Sequence, residues 1–350
     1  MPVIFVGPKL KPITGQSLAF FNIKENFHGN KLVVEYGGNG IFSHINSILS
    51  GLLKIFIYCL KYRNATMYIT TSRSKLGFLR DAAFINLARL FSVRIVNHLH
   101  GADFKDFYLS SSYALKKMID FTYKKISVSI VLLPRMKEQY DMFPNMKIVP
   151  INNGCNPPNP TPTFEKKEKN KILYLSNIMY SKGIIFLIDA IDKIKEYNSD
   201  IKLIIAGNIL GDEYKSQKEM SKLFFDKISN KEHIKYIGPI SGIEKTNALN
   251  ESLFFVLPTF YKTEAQPLSL IEAMLHGCIC ITTNHNYLPD MMSMKNGITI
   301  DAKNSEEIVK YIIETLNNEK KQKEIFYFNL KHSREKFSLD SHINNVISLL

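Results

Sequence analysis

Short runs of consecutive apolar residues alternate with longer segments of helical period along almost the whole chain. Val3–Val6, Lys31–Tyr36, Met67–Thr70, Arg94–Leu99 and Ser127–Leu133 read as strands buried on both faces. Between them the period predicts helices from Gln16 or Ser17, over Ile41–Leu60, over about Gly77–Leu90, over Tyr113–Lys125 and after Pro134. A short strand, Lys147–Val149, closes the series. A second series begins at Lys171–Leu175 and continues through Ile201–Ala206, His233–Ile237, Ser252–Leu257 and Cys278–Thr282. Its helices are predicted over Ile184–Ile194 and Ser305–Leu330. Strand–helix alternation of this kind predicts α/β architecture: two doubly wound, Rossmann-like domains, each a parallel sheet covered on both faces.

A length of 350 residues agrees with two domains. Asn156–Asn170 holds Pro157, Pro158, Pro160 and Pro162 before a Glu/Lys run, and reads as a linker. The predicted division is 1–155, linker 156–170, 171–335, and a last segment 336–350. In that segment Ile343, Val346, Ile347 and Leu350 make an apolar stripe, expected to pack back on the first domain.

Charge adds a second asymmetry. The net charge of +13 is concentrated in residues 1–155, with 20 Lys and Arg against 8 Asp and Glu; residues 156–350 hold 25 against 24. A basic half beside a near-neutral half calls for an anionic partner: a membrane, a nucleic acid or a phosphorylated acceptor. Ile45–Leu60 is the longest apolar stretch, but Asn46, Ser47, Ser50, Gly51 and Lys54 interrupt it. It is too short to span a bilayer and is expected to be a core helix for most of its residues. The run Val3–Gly7, ended by Pro8 and Lys9, is not a signal peptide. Cys59, Cys155, Cys278 and Cys280 form no metal-ligand spacing and read as free thiols.

The candidate chemistry centres on Thr263–Gly277, TEAQPLSLIEAMLHG, directly after a buried strand. Pro267 suits a first helical turn and Gly277 a helix end. Backbone amides near Gln266 and Leu268 would then face an anion at the positive end of the helix dipole. Glu264 and Glu272 flank that point. Two glutamates near a helix start often only favour the dipole, but Glu272 stands among Leu270, Ile271, Met274 and Leu275 and needs a partner. Lys182, at the start of the helix after the strand Lys171–Leu175, is placed to meet phosphate; alone it would be one more surface lysine. Asn97–Asp103, NHLHGAD, follows a strand, with His98 and His100 on one face and Gly101 permitting a close backbone approach. Two histidines at this spacing are weak evidence for a metal, and a structural role competes with a functional one; His100, beside Gly101, is the candidate. The loop Gly7–Ser17 offers Gly15 for close phosphate approach without a GxGxxG spacing.

The Gly15 loop, HLHGADF, VPINNGCN, SKG, IIAG, YIGPISG and EAQPLSLIEAMLHGCICITT together resemble the family-4 retaining glycosyltransferases of GT-B fold, across most of the chain. The resemblance implies two domains facing across a cleft, a nucleotide-diphosphate sugar donor such as a UDP-sugar, and no bound metal or other cofactor. It implies that Glu264 approaches the donor sugar, that Glu272 takes the ribose hydroxyls, and that Lys182 neutralises the diphosphate. The backbone at Ala265, Gln266, Pro267, Leu268 and Gly15 would flank the diphosphate and sugar, and His100 would line the cleft. The family often has an arginine five residues before the lysine, where Asn177 stands here, and a glycine where Ala265 stands. The basic half then fits a glycan acceptor linked to undecaprenyl pyrophosphate, in O-antigen or capsule assembly. The enzyme would sit peripherally on an anionic membrane at its cytoplasmic face, with no nucleic acid bound. The rivals are a two-domain sugar-nucleotide epimerase and a non-catalytic basic membrane- or nucleic-acid-binding protein. A nicotinamide oxidoreductase lacks its dinucleotide fingerprint.

Overall fold

The structure is a computed structural model that describes residues 1–11, 14–37 and 41–350, without the side chains of 41–44. Pro12 and Ile13 of the loop read from the sequence as a glycine-bearing phosphate approach lie outside the described residues. The chain forms two compact units, Met1–Gly154 with Leu339–Leu350, and Cys155–Ser338.

The N-terminal unit runs β1 (Val3–Pro8), α1 (Gly15–Glu25), β2 (Lys31–Tyr36), α2 (Ile41–Lys61), β3 (Thr66–Thr70), α3 (Lys75–Arg89), β4 (Arg94–Leu99), α4 (Phe104–Ser110), α5 (Tyr113–Tyr123), β5 (Val128–Val131) and β6 (Ile148–Pro150). The strands pair in the order β2-β1-β3-β4-β5-β6, all parallel. Pro134 opens a 3-10 helix over Pro134–Tyr140 rather than an α-helix, and α4 had no counterpart in the sequence pattern.

The C-terminal unit runs β7 (Glu168–Leu175), α6 (Ile184–Tyr197), β8 (Lys202–Ala206), α7 (Gln217–Ile228), β9 (Ile234–Tyr236), α8 (Gly242–Glu251), β10 (Ser252–Leu257), α9 (Leu268–Leu275), β11 (Ile279–Thr283), β12 (Gly297–Ile300), α10 (Ser305–Leu316) and α11 (Glu319–Lys336). Its sheet order is β12-β11-β10-β7-β8-β9, again parallel throughout. The order reverses between β7 and β10, so the loops leaving their carboxyl ends open side by side. β10, SLFFVL, is buried at every position because both faces carry helices.

Three local readings change. The stretch read as a linker already contains buried Phe164 and Lys167 and starts β7 at Glu168. Lys167 stays buried because its ammonium donates to the carbonyls of Leu249 (2.7 Å) and Ser252 (2.8 Å). The single helix expected over Ser305–Leu330 is two, because Asn318 stops the first and caps the second by accepting from the Lys321 amide at 3.0 Å.

The last helix, α12 (Leu339–Ile347), belongs to the N-terminal unit. Val346 and Leu350 join Val3, Phe5, Phe20 and Ile23 in one buried cluster, with Ile347 half-buried against it. Burying a side chain of this size contributes about 1.5–3 kcal/mol, enough to hold a nine-residue helix to the sheet. The helix over Ile45–Leu60 departs from its expected core role. Ile55 and Cys59 are buried and Leu52 is half-buried, but Ile45, Leu49, Leu53, Phe56, Ile57 and Leu60 are exposed. No helix among the described residues is long and apolar enough to cross a membrane.

Candidate active site

The loops after β7 and β10 build the charged centre of the C-terminal unit. After β7 the chain makes a 3-10 turn, Tyr180–Lys182, and Gly183 leads into α6 in the left-handed region (φ +77°). A Cβ at Gly183 would also collide with the Pro258 carbonyl, so only glycine lets the two loops approach this closely. The approach brings Lys182 Nζ to 2.5 Å from Glu264 Oε2, with both side chains about nine-tenths buried. Thr259 Oγ1 lies 3.2 Å from the same carboxylate oxygen. The Lys182 ammonium also stands 4.8 Å from the centre of the Tyr261 ring.

The loop carrying Glu264 is tied down from the side. Asn286 Nδ2 donates to the carbonyls of Glu264 (2.9 Å) and Lys262 (3.0 Å), and His285 Nε2 meets the Tyr261 carbonyl at 2.9 Å. Asp212 holds the other loop by accepting from the Ser181 amide at 2.7 Å. Burial pushes the Asp212 carboxyl up, but its hydrogen bonds from Ser181, Tyr214 and Lys215 outweigh this and hold it below the usual carboxylate range.

α9 begins at Leu268, one residue later than the sequence suggested. Pro267 is its N-cap, with an extended ψ of 127° that excludes it from the first turn. Ala265 and Gln266 are buried just before it. Ala265 does not take a positive φ, so its methyl group adds no backbone strain where the family often has glycine.

Glu272, on α9, is not beside Lys182. Its Oε1 meets Lys245 Nζ of α8 at 2.5 Å. The pair lines a cavity of about 230 Å3 with Asn177, Gly207, Asn208 and Pro239 from the ends of β7, β8 and β9. Lys245 was missed in the sequence. Its signal was available, since it falls in the first helical turn after YIGPISG, but one lysine among many carries no mark of its own. The cavity therefore holds a cation from α8 although Asn177 stands at the position where the family often has arginine. Thr259 was also missed, being an unremarkable residue after Pro258.

The two remaining candidates lie in the N-terminal unit. Gly15 is the first residue of α1, after Thr14, whose hydroxyl accepts from the Ser17 amide at 3.1 Å while Ser17 Oγ accepts from the Thr14 amide at 2.8 Å. His100 stands just past β4, its ring 4.0 Å from that of His98. His98 Nδ1 lies 2.8 Å from the Tyr68 hydroxyl, and His342 of α12 donates through Nδ1 to the Asn152 carbonyl at 2.7 Å. Both ring nitrogens of His100 are buried with no protein partner. Burial first, then His342 and Arg73, push His100 down to about 3, so its imidazole is neutral at physiological pH. A Cβ on Gly101 would meet the Arg73 guanidinium, which pairs with Asp103, so a side chain there would have to displace that pair.

Residues 158–330 match the model of the family Glycosyl transferases group 1. The capsular polysaccharide biosynthesis glycosyltransferase CapH of Staphylococcus aureus is 27% identical over 284 residues, covering 77% of this chain and 67% of CapH. The crystal structure of Anabaena Alr3699/HepE in complex with UDP superposes with a TM-score of 0.79 at 14% identity, covering 100% of this chain and 99% of that one. The apo form of the lipopolysaccharide outer core galactosyltransferase WaaB superposes with a TM-score of 0.68 at 14% identity, covering both chains completely. The two parallel six-stranded sheets are those of the GT-B fold. Residues 158–330 thus match the group 1 glycosyltransferases, within a chain of GT-B fold.

Proposed function

We propose that the protein transfers a hexose or N-acetylhexosamine from a UDP-sugar, with retention and without a metal, to a hydroxyl of a glycan carried on a lipid pyrophosphate. The observation that carries this reading is the Lys182–Glu264–Thr259 set at the sheet's reversal point, with the Glu272–Lys245 cavity alongside. An ammonium has three N–H donors, and only one of those on Lys182 is needed for Glu264. The others suit the diphosphate oxygens. Glu272 retains acceptor capacity beyond its bond to Lys245, which suits the paired hydroxyls of a ribose. The name of CapH and the UDP bound to HepE favour a polysaccharide product and a uridine donor.

In the proposed step the bond between the anomeric carbon and the β-phosphate oxygen breaks, and its electron pair leaves with UDP. The acceptor hydroxyl attacks from the same face and its proton passes to the departing phosphate oxygen. Lys182 stabilises the charge that grows on that phosphate, and Glu264 orients the sugar hydroxyls. His100, neutral and with two unpartnered nitrogens, offers one donor and one acceptor to sugar hydroxyls. Placement at the cytoplasmic face of an anionic membrane follows from the lipid-linked acceptor and the basic N-terminal half.

The test is a panel of UDP-, GDP-, CDP- and ADP-sugars with a short lipid-pyrophosphate glycan, with and without a chelator. The expected result is UDP release tied to a product that keeps the donor's anomeric configuration, unaffected by the chelator. An inverted product would overturn retention. Epimerised donor without nucleotide release would overturn transfer, and chelator-sensitive turnover would overturn metal independence.

A further inference from the structure

α2 carries an apolar stripe that the protein itself does not cover. Ile45, Leu49, Leu53, Phe56, Ile57 and Leu60 recur at helical spacing, and each is at least 42% exposed. At 3.6 residues per turn they occupy about 120° of arc. The opposite side, with Ile55 and Cys59, is buried against the unit. α2 contains no acidic residue, and Lys54 and Lys61 border its stripe.

α3 packs against α2 and α5 packs against α3, so the three helices form one layer. The outer side of α5 interleaves aromatic and basic residues. Tyr113 and Phe121 are exposed, and Lys117 lies over the Tyr113 ring at 5.3 Å. Arg89 at the end of α3 stands 5.0 Å from the Phe121 ring and donates to the Phe121 carbonyl at 3.1 Å. The three helices together hold seven Lys and Arg against two Asp, and Lys124 and Lys125 follow at once. Asp81 and Arg80 are paired and largely buried, which leaves six basic residues against one acid on the layer's surface. Large exposed apolar residues in the C-terminal unit are scattered singly by contrast.

We propose that the α2–α3–α5 layer is the surface by which the protein seats on a bilayer of anionic phospholipid. The α2 stripe enters the acyl boundary, and the lysines of α2 and α5 stay at headgroup level. The inference deepens the membrane-linked reading above by assigning it a face. Charge complementarity selects the occupant. A purely apolar partner would not require so basic a margin, whereas apolar residues bordered by Lys and aromatic rings match the layered polarity of a lipid interface.

Vesicle co-sedimentation of the full chain tests it, with phosphatidylcholine vesicles and vesicles containing about 25% phosphatidylglycerol. The expected result is at least about tenfold stronger binding to the anionic vesicles. Leu49→Glu with Leu53→Glu is expected to abolish binding. Lys117→Glu with Lys124→Glu is expected to remove the preference for anionic lipid. Both variants should retain donor turnover with a water-soluble acceptor, which reports that the chain is folded. Equal binding to both vesicles, or none, with donor turnover intact would overturn the surface and leave the transfer reading standing. Vesicle binding that follows the variants as expected, without turnover on any donor, would leave the surface and overturn transfer. A dimer that Leu49→Glu with Leu53→Glu dissociates, in a protein that ignores vesicles, would assign the face to a second copy and overturn the proposal.

Discussion

The two units are built on similar parallel sheets, yet they arrange polarity in opposite ways. In the C-terminal unit, charges are paired at the strand ends: Lys182 with Glu264, and Lys245 with Glu272. Its overall charge is nearly balanced, with 25 basic and 23 acidic residues over 155–338. In the N-terminal unit, the groups gathered near the end of β4 are neutral imidazoles, His98 and His100, with His342 brought in by α12. Its excess of positive charge lies outside, on helices that also expose apolar stripes. In the proposed reading one sheet framework serves two kinds of recognition. Preorganised charge suits a diphosphate, whose charge grows during the reaction, while neutral hydrogen-bonding groups suit sugar hydroxyls.

The largest expected effect breaks the charged centre. Glu264→Gln keeps the shape and most hydrogen bonds but removes the carboxylate from Lys182. Turnover should fall about 10²–10³-fold, the scale on which a preorganised electrostatic group acts. Glutamine is the right substitution, because truncating one partner of a buried pair costs about 3–5 kcal/mol and would mix folding with catalysis. Adding Lys182→Met should cost little beyond the single change if the two act as one unit. Steady-state kinetics with an unchanged circular dichroism spectrum is the measurement, and full turnover in Glu264→Gln would remove Glu264 from the reaction.

The second prediction separates the units by pH. Burial lowers His98, His100 and His342, with His100 reaching about 3. Each lies below its unfolded value of about 6.5, so the unfolded chain binds more protons as the pH falls. Their contribution is therefore intact above about pH 6.5 and is lost progressively below it, for His100 by up to about 1.4 kcal/mol per pH unit down to its folded value of about 3. The C-terminal unit has a strongly lowered histidine in His276, at about 4, and a lesser one in His332. Hydrogen exchange corrected for intrinsic rates should show β4 losing protection more steeply than β10 between pH 7 and pH 5. Equal slopes would mean that the imidazole cluster is open to protons in the folded state.

How far these contrasts could be read from the sequence depended on whether a local pattern determined the outcome. The eleven strands read from the sequence were visible because parallel strands are apolar runs, most of them here ended by a glycine or a proline. β12 escaped because GITI opens on Gly297 and holds only two apolar side chains, Ile298 and Ile300. Glu264, Glu272 and Lys182 were legible as candidates because they stand in the loop-and-helix segments that follow β7 and β10. Lys245 was not, since it reaches Glu272 from a different helix, α8, and Thr259 was not, since an uncharged residue after a strand carries no mark of its own. The face of α2 was hidden for a different reason. Its apolar residues surround most of the helix, and one sheet can cover only one side. Periodicity names an amphipathic helix, but it cannot tell which of two apolar arcs the core takes.

A smaller effect tests the division of labour inside the C-terminal unit. Glu272→Gln should weaken UDP binding about tenfold, or roughly 1.4 kcal/mol, while turnover at saturating donor changes little. Lys245→Met should resemble it, because Lys245 holds the Glu272 carboxylate at 2.5 Å and the two share one cavity. In a double-mutant cycle followed by titration calorimetry, the combined loss should then be less than the sum. Additive losses would assign the two residues to separate ligand contacts. A fall in turnover as large as that of Glu264→Gln would erase the distinction between the two glutamates.

The smallest effect concerns Ala265, buried between Glu264 and the start of α9. Because Ala265 does not adopt a positive φ, restoring the glycine often found there relieves no strain. It frees the unfolded chain instead, and Ala265→Gly should cost about 0.4–1 kcal/mol of stability. The methyl group lies next to the carboxylate that meets Lys182, so the same substitution asks whether that group narrows the space for the donor sugar. Turnover with the preferred donor should stay within about twofold if the space is already sufficient. A large gain with a bulkier donor, such as an N-acetylhexosamine over a hexose, would instead make Ala265 a determinant of which sugar the charged centre accepts.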